Sequence, residues 1–481
     1  MKTERLHPIM LAGTGSDVGK SIIATALCRI FRQDGYSPAP FKAQNMALNS
    51  FVTPDGLEIG RAQAVQAEAA GIPCEADMNP VLLKPQSDHT SQVVLLGKPI
   101  GNKDAYDYWR HEGKEELRRE VHKAFDRLSK RFNPIVMEGA GSISELNLRD
   151  TDLVNMPMAR YANADVILVA DIDRGGVFAS VYGSIMLQTE EDKKRIKGII
   201  INKFRGDLRL FDEGRHMLED ICQVPVLGVI PYYKDIHIDE EDSVDLRPPS
   251  LSLPHDGEDK ICVAVVRLPY ISNFTDFNAL ERDPRLQVFY TTKAEELNRA
   301  DIIILPGTKS TLGDLRWLHQ TGLATAILRA HREGRTIMGI CGGFQMLGQS
   351  VDDPDGVESE VRSMPGLGIL PMTTTMNAEK TTRQVEFTFE GATCKGYEIH
   401  QGQSTLTDTI VVRDNCIGTY VHGILDNAPF VDFLLRPFAN KLDTRCEAID
   451  YATYKEQQYD LLAYHVRKHL DMKRLYSILL T

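Results

Sequence analysis

PIMLAGTGSDVGKSII, residues 8–23, decides the fold of the N-terminal half. Residues 8–12 are a short, almost wholly apolar run that ends in a glycine-rich turn. Ile22, Ile23, Ala26, Leu27, Ile30 and Phe31 then recur at helical spacing until Gly35 supplies a stop. A strand, a glycine turn and a helix start, in that order, put backbone N–H groups and a helix N-terminus around a phosphate. The expected nucleotide contacts are Thr14, Gly15, Asp17, Val18, Gly19, Lys20 and Ser21. Lys20 would neutralise β/γ-phosphate charge and Ser21 would ligate Mg²⁺. The common spacing GxxxxGK[ST] calls for glycine at position 14; here Thr14 stands there and the glycine is Gly13.

Apolar runs of the same kind recur at 134–137, 165–170, 198–201, 262–268, 301–305 and 336–340, separated by helical patterns. Near-continuous apolar strands are buried on both faces, which is the pattern of parallel sheets in an α/β protein. The stretch 235–260, DIHIDEEDSVDLRPPSLSLPHDGEDK, interrupts this with acids, adjacent prolines and serines. The expectation is therefore two three-layer α/β domains. They are a phosphate-loop domain at 1–240, a linker at 241–260, a second domain at 261–442 and a helical tail at 443–481.

The chain of 481 residues carries a formal net charge of −12, which argues against broad nucleic-acid binding or attachment to an anionic membrane. No apolar run is long enough to span a bilayer. The eight cysteines are scattered without a CxxC pair. A reduced, cytoplasmic setting fits that usage better than a disulfide scaffold.

Mg²⁺ needs more oxygen ligands than one serine. Glu138, ending an apolar run in VMEGAGS (136–142), would face the crevice at the carboxyl ends of the strands. Asp55, in TPDG (53–56), is a second candidate ligand, competing with an ordinary turn role. Asn202, in INKFRGD (201–207), is a candidate reader of the adenine edge.

A second site lies in RTIMGICGG, residues 335–343. Cys341 stands on a strand-to-helix turn with glycine two residues before and two after it, the cysteine counterpart of a nucleophile elbow. The flanking glycines are read as serving the turn, with no packing purpose. A base is required, and His422 in GTYVHGIL (418–425) is the candidate. Backbone N–H groups at Gly307, in LPGTKST (305–311), and at Gly342 would form an oxyanion hole.

GICGGFQ, LPGTKS and the late histidine together resemble a class I glutamine amidotransferase domain. The usual acid two residues after that histidine is missing, since Ile424 stands there, and Glu398 in GYEIHQG (396–402) is a guess at a replacement. The N-terminal half resembles the dethiobiotin synthetase-like ATPases, whose longer G-T-x-x-x-x-G-K-[ST] loop matches residues 13–21. In this order the two halves resemble the cobyric acid synthase family, over nearly the whole chain. The telling stretches are FKAQNMALNS (41–50), EIGRAQAVQAEAAG (58–71), NPVLLKPQ (79–86), DIDRGGVFAS (171–180), INKFRGD (201–207) and RLPYISNFTDF (267–277).

The resemblance implies ATP, Mg²⁺ and glutamine, and a corrinoid substrate, adenosylcobyrinic acid a,c-diamide. Amidation at its b, d, e and g carboxylates would proceed through acyl phosphates. Lys42, Arg61 and Lys84 are candidates for holding its carboxylates. Homo-oligomer formation is compatible with this reading. The competing family is cobyrinic acid a,c-diamide synthase, which amidates two other carboxylates. A non-enzymatic alternative is a partitioning-type ATPase switch carrying an inactive glutaminase-like domain.

Overall fold

The computed structural model describes residues 4–85, 90–104, 114–239, 260–358, 361–441 and 449–480. In the N-terminal half six strands form one parallel sheet: β1 (Ile9–Gly13), β2 (Ala39–Phe41), β3 (Ile135–Glu138), β4 (Asp165–Asp171), β5 (Ile196–Phe204) and β6 (Val226–Pro231). Their spatial order is β6-β5-β4-β1-β3-β2. β1 and β4 are buried at every position, so each needs cover on both faces. On one face helix α1 (Lys20–Gln33) supplies Ile23, Leu27 and Phe31; on the other Val121, Phe125 and Val181 close the layer. The sheet's order reverses around β1, and a ligand crevice is expected at the carboxyl end of such a switch point.

The C-terminal half holds a second six-stranded sheet: β7 (Ile261–Val266), β8 (Leu286–Thr291), β9 (Ile302–Leu305), β10 (Thr336–Ile340), β11 (Ile410–Arg413) and β12 (Cys416–Thr419). The order is β8-β7-β9-β10-β12-β11, parallel except for the edge strand β11. A mixed sheet stands beside it, dominated by a long hairpin, Thr373–Phe389 with Ala392–Ser404. This hairpin reaches the N-terminal half, where Gln384 Nε2 donates to the Val52 carbonyl.

The expected linker, 241–260, lies outside the described residues except for Lys260. The tail forms two helices, α2 (Tyr451–His469) and α3 (Met472–Leu479). It packs back on the first half: Leu462, Ala463, Val466 and Leu475 share a core with Leu27 and Phe31. Arg29 on α1 donates to Asp460 Oδ1 at 2.7 Å and Glu456 Oε2 at 2.9 Å. Among the described residues no helix is long and apolar enough to cross a membrane.

Candidate functional site

The turn after β1 closes tightly on itself. A Cβ on Gly13 would lie 2.7 Å from Lys20 Nζ and 2.8 Å from the Gly141 carbonyl, so only glycine fits there. Gly19 enters α1 at φ +95°, in the left-handed region. Lys20 is buried and donates to the carbonyls of Gly15 (2.9 Å) and Gly141 (3.0 Å). Burial lowers its ammonium to about 8, although Glu138 works the other way. Thr14 N–H donates to the Val169 carbonyl, and Asp17 accepts a 3.3 Å contact from Arg174 of the DIDRGGVF stretch.

Glu138, at the end of β3, meets Ser21 as the sequence leads one to expect. Its Oε1 accepts from Ser21 Oγ at 2.8 Å and from Lys42 Nζ at 2.8 Å; its Oε2 accepts from Gln66 Nε2 at 2.7 Å. Burial pushes this carboxyl up, but Lys42, Gln66 and Ser21 outweigh it and hold it below the usual carboxylate range. One hydroxyl beside one carboxylate is the donor set Mg²⁺ takes when phosphate oxygens and water supply the rest. Among the described residues no group of three or more His, Cys, Asp and Glu can hold a metal without such help.

Three expected roles do not match the placement of their residues. Asp55 does not join Ser21 and Glu138; it is exposed on the turn of the hairpin Ser50–Val52/Glu58–Gly60 and accepts from Thr53 Oγ1. That is the turn role. Asn202 donates one Nδ2 hydrogen to the Val18 carbonyl at 2.9 Å and so also braces the phosphate loop. Arg61 is buried against Asp239, with its guanidinium 5.1 Å from the Phe51 ring centroid. It is a structural ion pair. Burial raises the Asp239 carboxyl, yet Arg61 and other donors bring it down to about 2. Lys42 is bound to Glu138 and so belongs to the phosphate site. Lys84 is also placed unexpectedly: it lines the cleft in front of Cys341, in the other half of the chain.

Cys341 sits between β10 and a short helix, Gly342–Met346, at φ 53° and ψ −111°. A non-glycine residue held there carries strain of order 1–3 kcal/mol, which the surrounding packing must impose. Here the flanking glycines do serve packing. A Cβ on Gly343 would lie 2.0 Å from the Leu305 carbonyl, and one on Gly339 would lie 2.7 Å from the Gly343 carbonyl. A Cβ on Gly342 would lie 3.2 Å from the Thr308 nitrogen, so the two expected oxyanion segments lie side by side. Gly307 lies against the imidazole, where a Cβ would be 3.0 Å from His422 Cε1.

His422 is 1% exposed, and its Nδ1 is 2.7 Å from Asp276 Oδ2. The other oxygen of Asp276 accepts from the Gly423 N–H at 2.9 Å. Tyr397 stacks on the ring, with centroids 5.3 Å apart. Nε2 is buried without a hydrogen-bond partner among the described residues, leaving it the ring atom able to take a thiol proton. Burial disfavours the charged ring, but Asp276 and Cys341 together raise His422 to about 10.

Asp276 thus stands where a third member would, a residue the sequence reading missed. Glu398 does not fill that place, since it binds Arg383 Nε at 2.8 Å and faces His400. The available signal was the acid within RLPYISNFTDF. Nothing in its spacing linked it to a histidine 146 residues away.

Comparison with known proteins accords with both halves. Residues 9–244 match the CobQ/CobB/MinD/ParA nucleotide binding domain and residues 262–430 the CobB/CobQ-like glutamine amidotransferase domain. A cobyric acid synthase of Phocaeicola vulgatus is 65% identical over 494 aligned residues covering 99% of each chain. One from Bacteroides fragilis is likewise 65% identical over 99% of each chain. One from Parabacteroides distasonis is 53% identical over 98% of this chain and 99% of its own. With a phosphate loop in one half and a histidine-backed thiol in the other, the chain belongs to the cobyric acid synthase family, glutamine amidotransferase ligases.

Proposed function

We propose that this chain amidates the b, d, e and g carboxylates of adenosylcobyrinic acid a,c-diamide, using ATP and glutamine through acyl phosphate intermediates. What supports the reading is the full-length likeness to cobyric acid synthases together with one chain's pairing of the Cys341–His422–Asp276 arrangement with a phosphate loop facing buried Glu138.

The chemistry needs both. A carboxylate anion is a poor electrophile, and phosphorylation gives it a leaving group. Free ammonia at neutral pH is mostly protonated, so releasing it from glutamine beside the acyl phosphate, away from water, keeps it reactive. In this reading Nε2 of His422 takes the Cys341 proton. Asp276 fixes the ring through Nδ1 and stabilises the imidazolium that results. The thiolate attacks the glutamine amide, and the backbone N–H of Gly342 and the 307–308 segment receive the developing oxyanion. His422 then returns its proton to the departing nitrogen, and water hydrolyses the thioester.

In the other half Lys20 and the 14–19 backbone orient the ATP phosphates. Ser21 and Glu138 would hold Mg²⁺, which supplies charge neutralisation on the phosphates when bound. Lys42 keeps Glu138 ionised.

The test is incubation of the purified protein with ATP, Mg²⁺, glutamine and adenosylcobyrinic acid a,c-diamide, followed by mass spectrometry, beside Cys341→Ala. Four successive one-amide mass changes are expected, lost in the variant with glutamine and restored by added ammonia. Glutamine hydrolysis without any change in corrinoid mass would reject the substrate assignment.

A further inference from the structure

The cleft in front of Cys341 is built from both halves of the chain. Lys84, on the strand Val81–Pro85 of the N-terminal half, lines it together with Lys309, Lys380 and Glu358 of the C-terminal half. Three ammonium groups drawn out of water around one cleft repel one another, and each loses hydration. Glu58, fully buried, answers two of them: Oε1 accepts from Lys84 Nζ at 2.7 Å and Oε2 accepts from Lys380 Nζ. Among the described residues the Lys309 ammonium donates only to a neutral amide, Gln92 Oε1, at 3.1 Å. Glu358 is committed elsewhere, to Thr311 Oγ1 and the Leu312 N–H, both at 3.2 Å. Among the described residues, with every group ionised, three lysines against Glu58 and Glu358 leave one positive charge in excess beside the thiol.

The approach of Lys380 is itself an irregularity of the fold. Along the long hairpin Met376 pairs with Gly402 and Thr381 with His400, so residues 377–380 oppose Gln401 alone. Such a bulge re-aims side chains, and here it delivers Lys380 to Glu58 of the other half. Burial and the charges of Lys380 and Lys84 together lower the Lys309 ammonium to about 7, a strain that an added anion would relieve.

We infer that Lys309, supported by Lys84 and Lys380, receives the α-carboxylate of glutamine, so that the glutaminase pocket is completed by a side chain of the synthetase half. This rests on Cys341 being the glutaminase nucleophile. It assigns Lys84 to glutamine and not to the corrinoid. It also means that glutamine is bound well only when the two halves are docked.

The test uses the full chain with ATP, Mg²⁺ and the corrinoid present, and follows release of the free acid from two amides. One is glutamine; the other is 4-aminobutanamide, which is glutamine without its α-carboxylate. Lys309→Met keeps the backbone N–H bond to the Tyr270 carbonyl and removes the charge together with the bond to Gln92 Oε1. Its KM for glutamine is expected to rise about 10- to 100-fold, the scale of a lost charge-assisted bond. Its kcat/KM for 4-aminobutanamide should stay within about 3-fold. Lys84→Met should move glutamine KM in the same direction, with thermal unfolding run to verify the fold.

An unchanged glutamine KM in Lys309→Met overturns the proposal. So does an equal fall for both amides, because the lysines would then be acting on the thiol. If the parent protein itself releases no glutamate, the glutaminase reading fails along with the inference.

Discussion

Asp276 shows how a single carboxylate decides what a histidine can do. An imidazole at 1% exposure prefers to be neutral, and only a fixed negative partner makes its charged form accessible. Asp276→Asn keeps the shape and removes that charge. Glutamate release is expected to drop roughly 10²- to 10⁴-fold, the scale of a lost acid–base function, while ammonia-supported amidation persists. A variant with unchanged glutaminase kcat would show that the contact is only structural. Asp314 poses a different question behind the oxyanion segment. It is 1% exposed, its Oδ2 accepts from Thr308 Oγ1, and its Oδ1 is unpaired among the described residues. Burial raises this carboxyl to about 7, against the pull of Thr308 and Tyr270. Its ordinary value is near 3.8, so between about pH 4 and 7 the folded chain holds a proton that the unfolded chain has lost. Stability therefore declines as pH rises through that window and levels off above it. Asp314→Asn should match the parent in urea near pH 4 and exceed it by about 4 kcal/mol at pH 8, the linkage of a carboxyl raised from 3.8 to about 7, since it no longer buries a charge. Equal midpoints at both pH values would mean that the carboxyl is not desolvated.

At the scale of elements, strand ends carry the chemistry. β3 ends in Glu138 and β5 continues through Asn202, and both meet the turn after β1. Asn202→Ala would leave the buried Val18 carbonyl without its donor and loosen the loop. ATP affinity, read by calorimetry, is expected to fall about 10-fold, while glutamine hydrolysis at the distant thiol survives. Unaltered ATP affinity would show that the brace is dispensable. These strands were legible in the sequence because a strand buried on both faces must be apolar throughout, and a local turn such as 13–21 or 339–343 announces itself by its glycines. The long hairpin was not legible. Its strand Thr373–Phe389 is exposed or half-buried at all but two positions, Thr374 and Met376, so no apolar run marks it. Nor was the tail's docking legible, because α2 finds its face on α1 more than 400 positions earlier. Glu138 was found from its place at a strand end, but its bond to Lys42 spans 96 residues and follows from the order of the sheet. Asp276 escaped for the same reason: its partner is chosen by topology, whereas a neighbour two positions along is chosen by sequence.

The whole molecule is joined by charged and polar contacts buried between its halves. Arg61 and Tyr451 both bind Asp239, which also accepts from Asn278 Nδ2 at 2.8 Å. The contact nearest the chemistry is made by the stretch 41–50. It starts beside Glu138, where Lys42 binds, and ends where the Ser50 N–H donates to Asn273 Oδ1 at 3.1 Å. The Ser50 carbonyl accepts from Tyr397, the ring stacked on His422, and Asn49 Oδ1 accepts from the Phe274 N–H. Asn273 opens the 3-10 turn Phe274–Phe277 that carries Asp276. A short, mostly buried piece of chain therefore links Glu138 to His422, the proposed base. Movement of Lys42 when phosphate charge arrives would be transmitted along it to Asp276 and His422. Asn273 stands at φ 53°, where glycine is tolerated without strain, so Asn273→Gly removes the amide and leaves the backbone free to keep its path. Both half-reactions should survive in this variant, but their timing should loosen. Glutamate released per amide formed, close to one in a coupled enzyme, should rise severalfold, as ammonia is made before an acyl phosphate is ready to receive it. A ratio that stays at the parent's value would show that the two sites are synchronised through another contact, with the lysine cluster at Glu58 next to be tested.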